Sequence, residues 1–350
     1  MRITDILVHQ PLGLVRIQTD AGIEGLCDGA SEEAARVIPD IYGPVLIGRD
    51  PLDREWIWQR LHNFDRERYV TENRIRGLID VALWDLAGKA AGVPVWQLIG
   101  GVRDRIPCYR SGHELPNVED YVHDALHHQA QGFKGYKDHC HNGPEFMMTV
   151  AREARSAVGP DFHLMHDANA IYIYTEAIRV GRELERQDYT WFEEPLSDYD
   201  YHGLQRLAAE LDIPILATEY LPGSIWSTAQ VVTMQACDII RASITWRGGI
   251  TDVLKLARLA EAFGMKIEIT SGGVCWYFAH ANCYGAIHNT TFCEHWERTP
   301  DPIVTNHLPV VDGHMHMPTQ PGLGFELDWD LVQARTERVV SAVEAAGSGS

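Results

Sequence analysis

The chain has 350 residues, 45% apolar and 23% charged, with a formal net charge of −19. That is enough chain for one large domain or two ordinary ones, in the composition of a folded water-soluble protein rather than a disordered one. Phosphate-rich partners are repelled by such a charge, so no nucleic-acid or membrane partner is expected, whereas a site that gathers carboxylates around a cation suits it.

"MRITDILVHQPLG" lacks the apolar core of a signal peptide, and no apolar run reaches the ~18 residues of a membrane span. Seven cysteines without a C-x-x-C pair favour a reducing, cytoplasmic compartment. The closing "GSGS", residues 347–350, reads as a linker scar. Residues 1–30 read as a β-hairpin: "ITDILVHQ", a turn at "PLG", then "LVRIQTD" and "GIEGLCDG". The clearest helix is "RIRGLIDVALWDLAGKAAG", with Ile75, Ile79, Ala82 and Leu86 on one face and Gly92 with Pro94 at its end.

Beyond residue 105 the pattern changes. Short β-rich runs at 106–112, 135–140, 162–169, 189–195, 214–220, 238–246, 266–272 and 291–296 alternate with amphipathic helical segments. Alternation of this kind predicts βα units and a parallel sheet, and eight such units close into a barrel more naturally than they form an open sheet. A doubly wound fold is the other option, but its glycine-rich phosphate fingerprint is missing after the first strand.

Barrel enzymes carry their chemistry at the C-terminal ends of the strands. Asp167, Glu193 and Glu219 each end one of three successive strands and are separated by 26 and 26 residues. Glu194 in place of Glu193 gives 27 and 25, a poorer phase match. Three converging carboxylates repel one another unless neutralised, and an oxygen-only set suits a hard divalent cation, Mg²⁺ before Zn²⁺. Lys137 and His139 lie two apart on one strand and share a face beside that cation. The lysine suits binding of an anion or, if desolvated, proton abstraction; the imidazole suits proton transfer. His113, Asn169, Glu294 and His295 are further candidates for contact with substrate, and His113, His295 and Glu294 for the general acid.

Taken together, "RGLIDVALWDLAGKAAGVPVWQLIGG", "GFKGYKDHC", "HDANA", "WFEEPL", "ILATEY" and "RGGITDVLKLARLAEAFGM" resemble the enolase superfamily, in its mandelate racemase-like subgroup, over nearly the whole chain. The resemblance implies an α/β architecture: a (β/α)7β TIM-like barrel under an α+β capping domain made from the N-terminal part and the C-terminal tail. The expected boundaries are 1–105 for the cap, 106–310 for the barrel and 311–346 for the tail. It also implies an essential Mg²⁺ at the positions of Asp167, Glu193 and Glu219, and removal of a proton α to a carboxylate.

Three departures shape the expected reaction. The subgroup's usual Lys-x-Lys reads Lys137-Asp138-His139, so His139 takes the base position. The partner His–Asp dyad is replaced by Thr270 and Ser243, neither of which is a base near pH 7. The loop that drapes over substrate shrinks to about "QPLG". One face is therefore chemically empty, and a one-base reaction follows: dehydration of an acid sugar, aldonate or aldarate, to a 2-keto-3-deoxy acid. The alternatives are sugar-lactone cycloisomerisation, one-base epimerisation, or a catalytically degenerate metal-dependent binding protein. Arg66 and Arg68, in the stretch 64–74, are candidates for the second anionic end of a diacid. A homo-oligomer is expected from the resemblance.

Overall fold

Alternating apolar residues at the N-terminus build an antiparallel sheet of β1 (Ile3–Gln10), β2 (Leu14–Thr19) and β3 (Gly25–Cys27), paired in that order. The computed structural model describes residues 1–68, 72–270, 272, 275–296 and 301–348, so Gly349 and Ser350 of the expected linker lie outside the described residues. Gly13 closes the first turn at φ 67°, and a Cβ there would stand 2.5 Å from the Ala30 carbonyl oxygen. Conformation and space both demand glycine.

After short helical turns between Ala34 and Leu46 come two long helices, Arg54–Arg68 and Asn73–Ala91. The second contains the expected apolar face but is buried nearly all round, because it lies between the small sheet and the barrel. It stops at Gly92, which adopts φ 71° and donates its N–H to the Gly88 and Lys89 carbonyls.

The expected parallel strands form in order: β4 (Arg105–Ser111), β5 (Gly135–Asp138), β6 (His163–Asp167), β7 (Phe192–Glu193), β8 (Ile215–Ala217), β9 (Ile239–Ala242), β10 (Lys266–Ile269) and β11 (Cys293–Trp296). Each pairs with the next from β4 to β10, and β11 pairs in parallel with β4. The remaining gap, between β10 and β11, is bridged mainly by side chains. Buried Glu268 accepts the N–H groups of Thr291 (2.8 Å) and Phe292 (3.2 Å) and the Thr290 hydroxyl (3.2 Å). The Tyr284 hydroxyl accepts the Glu294 N–H and donates to the Ile269 carbonyl. These groups satisfy strand edges that would otherwise be left buried and unpaired.

Inside the ring, Tyr109, Met165, Trp191, Leu216, Ile239 and Phe292 form an apolar layer. Two residues further along their strands stand Ser111, Asp167, Glu193, Arg241 and Glu294. The period of two puts these on the same inner face, one layer nearer the C-terminal ends. The tail adds a hairpin, β12 (Val310–Val311) and β13 (His314–His316), whose second strand lies antiparallel on β4. Then β14 (Arg338–Ser341) returns to pair with β1.

The cap docks on the barrel through the segment "RGGIT". Gly248 and Gly249 adopt φ 99° and 111°, and a Cβ on Gly77 would stand 3.1 Å from the Gly249 nitrogen. This close approach lets Asp80 accept the N–H of Thr251 (2.8 Å) and its hydroxyl at the start of the helix Ile250–Ala262. Trp58 donates to Asp252 at 2.8 Å and Trp84 to the Thr251 hydroxyl at 2.9 Å. Replacing Asp80 with Ala strips two buried donors of their acceptor and is expected to cost about 2–3 kcal/mol in urea denaturation. A variant within ~0.5 kcal/mol of the parent would show that this clasp does not hold the two parts together.

Candidate active site

A second inner layer, made of charges, covers the apolar one. The ammonium of Lys137 stands 3.1 Å from Asp167, 3.0 Å from both Glu193 oxygens and 2.8 Å from Glu294. Arg241 meets Glu193 at 2.8 Å, Glu294 at 2.7 Å and Glu219 at 3.4 Å. Trp191 donates to Glu193, and Ser111 and Thr270 donate to Glu294. Lys137, Arg241, Glu193 and Glu294 are all essentially sealed from solvent. Above them opens a cavity of ≈ 510 Å³ at the C-terminal ends of the strands.

Its electrostatics do not balance within the protein. Lys137 and Arg241 touch Asp167, Glu193, Glu219 and Glu294, while Glu194 pairs with no lysine or arginine among the described residues. Burial opposes ionisation of Asp167, but Lys137 and His139 outweigh it and hold the carboxyl well below its usual range. Burial likewise opposes ionisation of Glu294, and Arg241 and Lys137 hold it low. The other three rise. Burial pushes Glu193 up to about 8 against the pull of Arg241, and Glu219 up to about 7 in the same way. Glu194 rises by burial and then by the charges of Glu219, Asp198, Asp167 and Glu193. Lys137, Arg241 and His139 thus favour ionisation of Asp167 and Glu294, while Glu193, Glu194 and Glu219 are pushed the other way, a balance that a divalent cation would shift toward the ionised forms. Among the described residues no three of these groups already converge as a ligand cage, and Lys137 and Arg241 stand among them.

The second residue of the β5 pair is oriented from two sides. His139 Nδ1 lies 2.8 Å from the Gly112 carbonyl oxygen, which only accepts, so Nδ1 carries a proton. Nε2 then faces Asp167 Oδ2 at 3.1 Å. Burial disfavours the charged ring, but Asp167 outweighs burial and raises its pKa. The Lys137 ammonium also stays charged, with burial and Arg241 overridden by Glu193 and Glu294.

The remaining expected residues divide. Asn169, Glu294, Ser243 and Thr270 line the cavity. His295 turns the other way: its ring meets Arg110 at 3.0 Å and packs near Phe133 and Tyr277 outside the barrel. It is one residue from inward-facing Glu294, and strand parity sends it out. His113 is exposed beside Trp296 and does not line the cavity. Arg66 is exposed and away from the cavity lining, and the side chain of Arg68 lies outside the described residues. Arg74, from the same stretch, does line the cavity. Arg241, central to the charge layer, was not among the expected residues. Its signal was a single arginine two positions past inward-facing Ile239 in "DIIRAS".

Comparison with known proteins places this geometry. The model for the mandelate racemase / muconate lactonizing enzyme N-terminal domain matches residues 4–100, and the enolase C-terminal domain-like model matches residues 120–331. The chain belongs to the mandelate racemase / muconate lactonizing enzyme family. Within the enolase superfamily its relatives include arabinonate dehydratase of Saccharolobus solfataricus, 29% identical over 92% of this chain and 90% of that protein. Another is D-galactarolactone cycloisomerase of Agrobacterium fabrum, 31% identical over 91% of this chain and 89% of the relative. Among solved structures, D-glucarate dehydratase from Agrobacterium tumefaciens, complexed with magnesium, superposes with a TM-score of 0.88 at 31% identity, covering 97% and 100% of the two chains. Ser243 and Thr270, expected at the dyad positions, both line the cavity, and neither is a group that titrates near pH 7.

Arg241→Met is expected to cost about 3–5 kcal/mol in denaturant unfolding, because Glu193 and Glu294 each lose a close buried counter-charge. A loss under ~1 kcal/mol would mean that the layer is not held by this arginine.

Proposed function

We propose that this chain binds Mg²⁺ through Asp167, Glu193 and Glu219 and dehydrates an acid sugar to a 2-keto-3-deoxy acid. The observation that carries the reading is one-sidedness: a held imidazole, His139, on one wall, and no second base at Ser243 or Thr270. Asp167 and Glu193 are register partners on adjacent strands, and both turn inward onto Lys137. Glu194, with one oxygen on the Glu219 N–H, closes the seat on the cavity side. When bound, the cation supplies positive charge to the substrate carboxylate as the neighbouring carbon is deprotonated. The relatives' names support both the cation and the substrate class.

Lys137 is the anion-binding partner rather than the base. It is fully buried among three carboxylates and keeps its proton. His139 is the base. Gly112 fixes the ring with its proton on Nδ1, so in the neutral ring Nε2 is the proton-accepting atom, and it would be free to act as base where Asp167 serves as a metal ligand. Nε2 then takes the α-proton. Its conjugate acid returns that proton to the β-hydroxyl, the C–O bond breaks, water leaves, and the enol left behind tautomerises to the keto acid. A second reading, cycloisomerisation of a sugar lactone, also needs one base and is favoured by the 31% identical cycloisomerase. The products separate the two, since only dehydration gives a 2-keto-3-deoxy acid.

In D₂O with Mg²⁺ and acid sugars, His139→Gln is expected to lose about 10²–10⁴-fold in α-deuterium uptake and product formation. Its Mg²⁺-dependent rise in Tm should persist; unchanged turnover would take His139 out of the chemistry. Mg²⁺ is expected to raise the Tm of the parent protein in a concentration-dependent way, reversed by EDTA. Glu219→Gln and Glu193→Gln should abolish that rise and Glu194→Gln should only weaken it; the reverse order for the last two would move the third ligand to Glu194.

A further inference from the structure

The cavity wall facing His139 carries polar groups that the proposed reaction leaves unused. In an eight-strand ring, β5 and β9 stand four strands apart and therefore face each other across the mouth. The β9 wall starts at Arg241 in the charge layer and continues through Ser243, Thr245 and Trp246. Ser243 is 1% exposed and Thr245 8%, yet neither Oγ of Ser243 nor Oγ1 of Thr245 has a hydrogen-bond partner in the protein. A buried hydroxyl left without a partner is destabilising, so two on one wall mark a surface shaped to meet other polar groups.

At the top of the same wall the cap contributes Arg74. One Nη donates to the Gly29 carbonyl at 3.0 Å, and the guanidinium lies 5.5 Å from the Trp246 ring centroid. Its Nε is buried without a partner, and no carboxylate pairs with it among the described residues. A guanidinium braced by a carbonyl and an indole face, with free N–H groups at a cavity rim, matches the planar fork of a carboxylate. A terminal hydroxyl offers it less: one oxygen and no charge.

Resting on the reading of this site as an acid-sugar dehydratase, we infer that the substrate is a dicarboxylic acid sugar, an aldarate. Its reacting carboxylate lies at the charge layer, its distal carboxylate on Arg74, and its intervening hydroxyls on Ser243 and Thr245. Arg74 is then a specificity residue reaching in from the cap, over a wall whose dyad position has become a hydroxyl.

The test uses the full chain with Mg²⁺ and configurationally matched aldarates and aldonates. The parent protein is expected to process one or more aldarates with kcat/KM at least about tenfold above the matched aldonate, the selectivity expected of a site built around a buried charge. Arg74→Gln should erase that preference, mainly through KM for the diacid, and Arg74→Lys should restore part of it. Equal loss for both classes in Arg74→Gln, or an aldonate preferred by the parent, overturns the inference. Binding is read separately as the Tm shift given by each aldarate in Mg²⁺, a measurement that needs no turnover. A shift present in the parent and lost in Arg74→Gln supports the assignment even where no product forms, which is the outcome that would sink the dehydratase reading alone. A shift unchanged in Arg74→Gln, or absent in the parent for all aldarates, overturns it.

Discussion

Two buried cations held among carboxylates, Lys137 and Arg241, set the terms for the rest of this structure. A lysine or arginine sealed from water is tolerated only when opposite charges meet it at hydrogen-bond distance. Meeting them requires that Asp167, Glu193, Glu219 and Glu294, from four strands, arrive at one height. Strand register therefore decides the electrostatics: a one-residue slip in β7 turns Glu193 outward and brings Phe192 in. The apolar layer below fixes that register, because Trp191, Met165 and Ile239 sit two residues earlier on the same inner face. Even the seam between β10 and β11 is closed by groups tied to this layer, since Glu294 hangs its own N–H on the Tyr284 hydroxyl.

The same layer explains how one imidazole and no second base can make an active site. Proton abstraction beside a carboxylate requires the product charge to be received, and the floor is already organised for charge. What differs between the two walls is the residue on each. Just past β5 the chain places a histidine whose tautomer is set by the Gly112 carbonyl. On β9 and beyond β10 it places hydroxyls, which bind but do not exchange protons near neutral pH. In the proposed reaction the chemistry is thereby confined to one face of the substrate, and the opposite face is left to recognition.

Much of this was legible in the sequence, and the limits have physical causes. Eight strands and the inward phase of Asp167, Glu193 and Glu294 follow from a period of two, which survives in a linear string; Glu219 keeps the 26-residue repeat but lies past the end of β8, one residue beyond the parity position held by Thr218. His295 fits a site by chemical type, but its place next to inward-facing Glu294 sends it out of the barrel. Arg241 obeys the same parity, yet in sequence an arginine between apolar residues reads as an edge rather than as a centre. Glu193 and Glu194 are indistinguishable by composition; only side-chain burial separates the one locked onto Lys137 from the one bordering the cavity. Arg74 lay inside the stretch marked for a second anion, whereas Arg66 did not reach the site. Which arginine of that stretch points inward depends on how the cap lies on the barrel, and no local pattern encodes a docking angle.

That docking angle is set by a small set of contacts, and they lie close to the arginine they position. Arg74 and Asp80 share one helix and are six residues apart, about 9 Å along its axis. Asp80 is clasped to Thr251 just past Gly248 and Gly249, and the short helix Ile244–Arg247 before those glycines carries Thr245 and Trp246 on the cavity wall. The cap helix and the β9 wall are thus joined at one end by the Asp80 clasp and at the other by Arg74 over Trp246. Gly77, between them, lets the helix approach the two glycines closely enough for both contacts to form at once. A Cβ at Gly77 would stand 3.1 Å from the Gly249 nitrogen and 3.2 Å from the Trp276 ring, so helix and glycines would have to separate by a few tenths of an ångström at the point between the two contacts. The "RGLID" and "RGGIT" segments that mark the family in sequence are, in this chain, the two halves of the joint that fixes where the cap's arginine meets the substrate cavity.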